Sequence, residues 1–175
     1  MTAAGVSLLV ARRPSPLGSL VVVCDRADRL RALDFADCEA RMRRLLRASC
    51  GGAADAAIAG RAPAAVASAL DAFFAGDLGA LAALEVRTAG TSFQRSVWAA
   101  LREIPAGATT TYSALARAIG RPTACRAVGL ANGANPIAIA TPCHRVLGSD
   151  GSLTGYAGGV GRKRWLLDHE RRWRH

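Results

Sequence analysis

Between residues 91 and 133 the sequence marks its own helix boundaries, and this stretch constrains the fold more than any other. Thr91 and Gln94 stand three apart, as in a capping box. Phe93, Val97, Trp98, Leu101 and Ile104 then recur at helical spacing, and Pro105 and Gly107 end the run. After Thr109–Thr111 a second helix carries Tyr112, Leu115, Ala116 and Ile119 on one face, and Gly120 is placed to cap it. Pro122 is placed to open a third helix running to about Ala131. Two short helices joined by a tight glycine-containing turn predict a helix-turn-helix, although an ordinary helical hairpin has the same spacing.

The third helix is poor in side-chain bulk. Ala124, Cys125, Ala127, Gly129, Ala131 and Gly133 are all small, and Arg126 is the one long charged side chain among them. Such a helix can approach a nucleic-acid groove closely and send one arginine deep into it. Close helix–helix packing with Arg126 solvated is the alternative.

Charge supports the first reading. Residues 1–90 hold 11 basic and 9 acidic side chains, whereas residues 91–175 hold 12 and 4, so the basic excess of the chain sits in its second half. A polyanion suits that half, with nucleic acid the commonest one. A solubilising surface has the same composition. Lys163 is the only lysine, and the arginine bias is also what a GC-rich genome produces.

The 175 residues, 51% of them hydrophobic, suffice for one compact domain or two small ones and exclude extensive disorder. No stretch of 18 residues is continuously apolar, so no membrane helix is expected. Val6–Val10 is too short for a signal-peptide core, and Arg12 and Arg13 follow it rather than precede it. The chain reads as intracellular, in the cytoplasm.

The first third reads as strands at Val6–Ala11, Ser19–Cys24 and Leu30–Asp34, separated by turn-like Pro14–Gly18 and Asp25–Arg29. Helical spacing follows in Cys38–Ala48 and Pro63–Phe74, with Gly51–Gly60 a small-residue loop between them. Pro63 suits the first turn of its helix. Glu85–Gly90 is the expected joint, which divides the chain into residues 1–88 and 89–175.

Cys24, Cys38, Cys50, Cys125 and Cys143 are odd in number and widely spaced, which argues against a disulfide framework and a structural zinc site. Cys143 alone has a reactive setting, in Thr141-Pro142-Cys143-His144-Arg145-Val146. This follows Asn135–Ala140, which looks like a loop entering a short buried strand. The imidazole and Arg145 are expected to favour the thiolate, the nucleophilic form. In an extended segment neighbouring side chains point to opposite sides, so His144 reaches Cys143 only through a turn or a bridging water. A base also needs an orienting partner. Glu170 is the candidate, on the same helical face as Leu166 and Leu167, where a carboxylate needs a partner to be buried. A surface pair with a neighbouring arginine is the alternative.

Taken together, these pieces resemble the O6-alkylguanine-DNA alkyltransferases, the methylated-DNA–protein-cysteine methyltransferases. The resemblance is carried by Thr91-Ser92-Phe93-Gln94-Arg95-Ser96-Val97-Trp98, Ile104-Pro105-Ala106-Gly107, Thr111-Tyr112 and Arg126-Ala127-Val128-Gly129. It continues through Ala131-Asn132-Gly133-Ala134-Asn135-Pro136-Ile137, Pro142-Cys143-His144-Arg145-Val146, Gly155-Tyr156, Arg162-Lys163 and Leu166-Leu167 to Glu170, in the family's order and spacing. It covers about half the chain densely.

The resemblance implies an α/β N-terminal domain, a small ribonuclease H-like sheet with helices, and a mainly α C-terminal domain with a winged helix-turn-helix-like DNA-binding motif. It implies repair of O6-alkylguanine in double-stranded DNA by irreversible alkyl transfer to Cys143, once per molecule, with the base flipped out and O4-alkylthymine left open as a second substrate. His144 matches the water-mediated base, Glu170 its orienter, Asn135 the brace of the active-site turn and Tyr112 the group that assists guanine's departure. Arg126 matches the finger that fills the space of the extruded base. Thr111, Tyr112, Ala127, Ala131 and Gly133 fall at DNA-contacting positions. Ala138, Tyr156, Ala157 and Lys163 fall at the substrate pocket, Tyr156 as part of a lid. No metal or other cofactor is implied, and the protein is expected to act as a monomer.

Thr141 stands where many members of the family have a bulkier aliphatic residue, Ala138 is small at the edge of the expected pocket, and Ala157 stands where some relatives carry serine, which puts the range of alkyl groups in doubt. A non-catalytic alkyl-damage binder on the same fold is the competing reading, and the presence of Cys143 speaks against it. A cysteine hydrolase would need a remote histidine, for which only His169 and His175 remain.

Overall fold

The computed structural model describes residues 7–174; Val6 and His175 lie outside the described residues. Strands β1 (Leu8–Arg13), β2 (Leu20–Asp25) and β3 (Leu30–Phe35) form an antiparallel meander from the three expected apolar runs. Helices α1 (Glu39–Cys50) and α2 (Ala64–Ala75) follow. Pro63 stands at the N-cap of α2, where its missing N–H leaves no helical bond unmade. Between the helices, where composition predicts only a loop, Ile58–Ala59 forms a short strand β4 parallel to β1. Two residues show no periodicity, so only the open edge of β1 selects them.

The strand order is β3-β2-β1-β4. All of β2 is buried because both sheet faces are covered. Val21 and Val23 pack with Met42 and Leu46 of α1, while Leu20, Val22 and Cys24 pack with Val66, Leu70 and Phe73 of α2.

In the second half, α3 (Ser92–Arg102) begins with the expected capping box. Thr91 Oγ1 accepts from the Gln94 N–H at 3.1 Å, and Gln94 Oε1 accepts from the Thr91 N–H at 2.9 Å. Helix α4 (Tyr112–Ala118) ends in a Schellman motif: Gly120 has φ +70°, its N–H donates to Arg117 O, and the Arg121 N–H donates to Ala116 O. Helix α5 spans Cys125–Gly133. Pro122 therefore does not open it. The chain first makes a turn closed by the Ala124 N–H to Arg121 O, and α5 runs two residues past the expected end. Helices α3, α4 and α5 enclose Val97, Trp98, Leu101, Leu115, Ala116 and Val128. A two-stranded parallel ribbon, β5 (Thr110–Thr111) with β6 (Val146–Leu147), flanks them like a wing. Helix α6 (Val160–Arg172) completes the chain.

The free edge of β3 joins the halves. At one end Leu30 exchanges backbone hydrogen bonds with Glu85 and Arg87 of the connecting segment. At the other, the Leu33 N–H donates to Pro136 O at 3.0 Å and the Ala138 N–H to Leu33 O at 2.7 Å. The sheet thus holds the loop that precedes Cys143. Among the described residues no helix is long and apolar enough to cross a membrane.

Candidate active site

The segment Asn135–Ala140 is not the expected buried strand; apart from one bridge, Ile137 to Leu33, it is a tight turn. Asn135 organises it. Its Nδ2 donates to Ile137 O at 3.1 Å and Thr141 O at 2.8 Å, and its Oδ1 accepts from the Ile137 N–H at 3.0 Å. Ile139 has φ +67°, a left-handed conformation that a β-branched residue rarely adopts. Such a conformation costs about 1–3 kcal/mol and persists where the surroundings over-determine it. Here Asn135 and the β3 edge do so. The chain then enters a single 3-10 turn, Cys143–Arg145, in which all three side chains are buried. That turn frees the Cys143 and His144 side chains from the opposed directions of a strand.

Glu170 is the hub beneath this turn. His144 Nε2 lies 2.7 Å from Glu170 Oε1. Arg145 donates to both carboxylate oxygens from Nε and to Oε1 from Nη2 at 2.8 Å, while its Nη1 donates to Ile104 O at 2.6 Å. The Gly107 N–H donates to Glu170 Oε2 at 2.9 Å. Burial alone would raise the Glu170 carboxyl, but the hydrogen bonds from His144 and Arg145, with the Arg145 charge, outweigh it and hold the group at about 2. An ionised carboxylate only accepts, so Nε2 carries the donated proton. Burial pushes the His144 pKa below its ordinary value against the pull of Glu170. The neutral ring therefore presents Nδ1 as an acceptor, and that atom is buried without a partner among the described residues. The alternative, a surface pair of Glu170 with a neighbouring arginine, does not hold: the carboxylate is wholly buried and its arginine is Arg145, on the Cys143 turn.

The expectation that Arg145 and the imidazole favour the Cys143 thiolate does not hold. Cys143 is 7% exposed, and burial raises its pKa. A hydrogen bond with Asn135 and the charges of Arg41 and Lys163 oppose that rise. Arg145 is spent on Glu170 and Ile104.

A small cavity opens onto Cys143. Ala138, Tyr156 and Ala157 line it, together with Asn135, Asp34 and Arg41. Tyr156 Oη is buried without a partner among the described residues. Lys163 does not line the cavity. Its stem is packed away and its Nζ donates to Val146 O and Thr154 O, so it pins β6 to the segment before Tyr156.

Asp34 and Arg41 escaped the sequence reading. Arg41 pairs with Asp34 at 2.7 Å and donates to the Gly133 and Asn135 carbonyls at the end of α5. An arginine on α1 carries no local sign of a contact some ninety residues away.

On the outer surface, Arg126 and Ala127 are exposed on α5, as is Gly133. Ala131 is not: it is 3% exposed, and its carbonyl accepts from Trp98 Nε1 at 2.9 Å because the face it occupies packs on α3. Leu130, one turn beyond Arg126, is 72% exposed, a bulky apolar side chain on a helix whose other exposed positions, Arg126 aside, are small. Thr111 caps α4 by accepting from the Ala114 N–H. Tyr112 is half-buried, its ring against Gly129. The histidine that a cysteine hydrolase would recruit is committed elsewhere: His169 bonds to Phe73 O at 2.8 Å and stacks on Trp165. His175 lies outside the described residues.

A wing-flanked helix-turn-helix set against a buried Pro-Cys-His-Arg turn defines a DNA-directed cysteine protein. Comparison with known proteins narrows this. The profile of the 6-O-methylguanine DNA methyltransferase DNA-binding domain matches residues 92–172. The methylated-DNA–protein-cysteine methyltransferase of Salmonella typhimurium is 50% identical over 163 residues, covering 93% of this chain and 95% of that one. The structure of Mycobacterium tuberculosis OGT in complex with DNA superposes with a TM-score of 0.80 at 38% identity, covering 94% of each chain. An O6-methylguanine-DNA methyltransferase from Pyrococcus kodakaraensis shares the fold, with a TM-score of 0.65 at 24% identity over 93% of this chain and 98% of that one. The chain belongs to the methylated-DNA–protein-cysteine methyltransferase family.

Proposed function

We propose that this protein repairs duplex DNA by moving the alkyl group of O6-alkylguanine onto Cys143, once per molecule. The observation that carries the reading is the placement of Cys143 at the floor of a cavity, on a turn braced by Asn135 and anchored through His144 to the buried Glu170.

The target atom lies within the base stack, so the nucleotide is flipped out at a cost of a few kcal/mol. Arg126, exposed on α5, offsets part of that cost by filling the gap, with Ala127 and Gly133 allowing close approach to the duplex. Leu130 adds an apolar contact to the same face. The Cys143 proton passes through a water to His144 Nδ1, and the imidazolium that forms is stabilised by Glu170. The sulfur then attacks the alkyl carbon. The S–C bond forms, the C–O6 bond breaks, and its electron pair leaves with guanine. Tyr112 supports that developing charge by donating a hydrogen bond or a proton. The product is a thioether, which water does not readily cleave, so the acceptor is consumed.

A high thiol pKa in the resting site suits this scheme. Cys143 stays protonated until the base-pocket contacts are complete, which spares it from other electrophiles. The units we assign, residues 1–88 and 89–175, divide the work between a scaffold and a DNA-binding, alkyl-accepting part. We place the protein in the cytoplasm, acting as a monomer.

The test is intact-protein mass after mixing with excess duplex bearing one O6-methylguanine, followed by peptide mapping. One added methyl on Cys143, and no more, is expected. Tight lesion binding without mass gain would establish the damage-binder reading instead.

A further inference from the structure

The Arg162-Lys163 pair belongs to the sequence pattern, yet the reaction as described uses neither side chain. Lys163 is turned inward. Arg162 is not: it stands at the first turn of α6, just after the segment Gly155–Gly159 that carries Tyr156 over Cys143. Its guanidinium makes contacts on two sides. Toward the lid, Nη1 donates to Gly158 O at 3.1 Å. Toward the sheet half, Nη1 donates to both Asp37 carboxylate oxygens at 2.9 Å and Nε donates to Leu17 O at 3.2 Å. The guanidinium carbon also lies 4.1 Å above the ring of the fully buried Phe35, within cation–π range.

Two further contacts cross the same seam. The Phe35 ring meets the Tyr156 ring edge-on at 6.4 Å. Cys38 Sγ donates to Ala157 O at 3.3 Å. Gly158 itself is pressed against the Phe35 ring: a Cβ there would fall 2.5 Å from Phe35 Cε2. The lid is thus seated on Phe35–Cys38, and Arg162 holds lid backbone, the Asp37 carboxylate and the aromatic floor together.

We infer that Arg162 is a positioning residue for the reaction, clasping the Gly155–Gly159 lid to the sheet half and so setting the shape of the base pocket above Cys143. This rests on the reading that the alkylated base enters that pocket, and it gives the N-terminal half a part in substrate binding. The clasp acts on capture of the base and not on the bond-making step, because Arg162 touches neither Cys143 nor the His144–Glu170 pair. Arginine suits the place because its planar guanidinium spreads donors over Nε and Nη1, to Leu17 on one and to Asp37 and Gly158 on the other, while its face lies on the Phe35 ring, a reach that a lysine's single nitrogen lacks.

The experiment is single-turnover benzyl transfer from free O6-benzylguanine over a range of concentrations, beside iodoacetamide labelling of Cys143 followed by peptide mapping. In Arg162→Ala the half-saturating concentration rises about tenfold, the equivalent of losing about one charge-assisted hydrogen bond, while the limiting rate stays within about twofold. Labelling of Cys143 accelerates as the lid loosens. Arg162→Lys falls between the two proteins. Asp37→Asn keeps the Gly158 and Leu17 bonds and shows a smaller rise in the same direction; being a surface change, it carries the test if Arg162→Ala does not fold. Wild-type half-saturation and labelling in both Arg162→Ala and Asp37→Asn would overturn the clasp, as would a fall in limiting rate alone. A wild-type protein that takes no benzyl group would refute the reaction instead, and the labelling comparison judges the clasp without it.

Discussion

His144 Nε2 and Glu170 Oε1 lie 2.7 Å apart with both side chains wholly out of solvent. This pair ties the 3-10 turn of Cys143 to helix α6, and Arg145 completes it from the other side of the carboxylate. Removing Glu170 leaves a buried guanidinium and imidazole without their acceptor. Breaking such a group from one side costs about 3–5 kcal/mol. Glu170→Ala is expected to lose that much stability in urea unfolding, and alkyl transfer with it.

Acid should weaken the same pair. The Glu170 carboxyl falls from its ordinary 4.5 to about 2 in the folded protein. A lowered folded pKa means that the stabilisation is full above the unfolded value and is lost as pH falls toward the folded one. Urea midpoints should therefore drop between about pH 4.5 and pH 2, and by less in Glu170→Gln. Equal acid sensitivity in both proteins would assign the loss to other carboxylates.

Cys143→Ser should abolish alkyl transfer while leaving duplex affinity near that of the wild type, because the thiol lies on a cavity floor and not on the α5 surface. Intact mass and a gel-shift titration on the same duplex separate the two outcomes. Retained transfer would show that another thiol is the acceptor.

Arg126→Ala should slow repair in duplex more than reaction with free O6-benzylguanine, since only the duplex needs its gap filled. Equal slowing of both would remove the finger role.

Leu130→Gln probes the same helix face. Burying this side chain against DNA is worth roughly 1–2 kcal/mol, so duplex binding should weaken about tenfold with free-base reaction unchanged. An unaltered duplex affinity would show that Leu130 stays in solvent.

The helix-turn-helix was legible because its signals are local. The capping box at Thr91, the Schellman glycine at Gly120 and the apolar spacing of Val97, Trp98 and Leu101 each act within a few residues. The motif around Cys143 was legible as chemistry but misread as conformation. A run as apolar as Pro136–Ala140 looks like a buried strand, and the burial is real. The turn comes from Asn135, whose one amide serves three backbone groups. Ala131 shows the reverse error: a small residue suits a DNA groove and a helix interface equally, and Trp98 decided between them.

By itself the sequence determined the three strands of the meander, most helix boundaries, the reactive hexapeptide and the inward face that carries Glu170, because caps, periodicity and nearest-neighbour chemistry are written within one or two turns of chain. Only the tertiary structure decided that β4 joins β1, that Arg41 and Asp34 reach the Cys143 loop, that Arg145 serves Glu170 and not the thiol, and that Arg162 clasps the lid to Phe35–Cys38. Those contacts span from about 25 to well over 100 residues of chain. A long charged side chain carries no record in its own neighbourhood of which buried acceptor it will meet; packing of the two halves along the edge of β3 selects the partner.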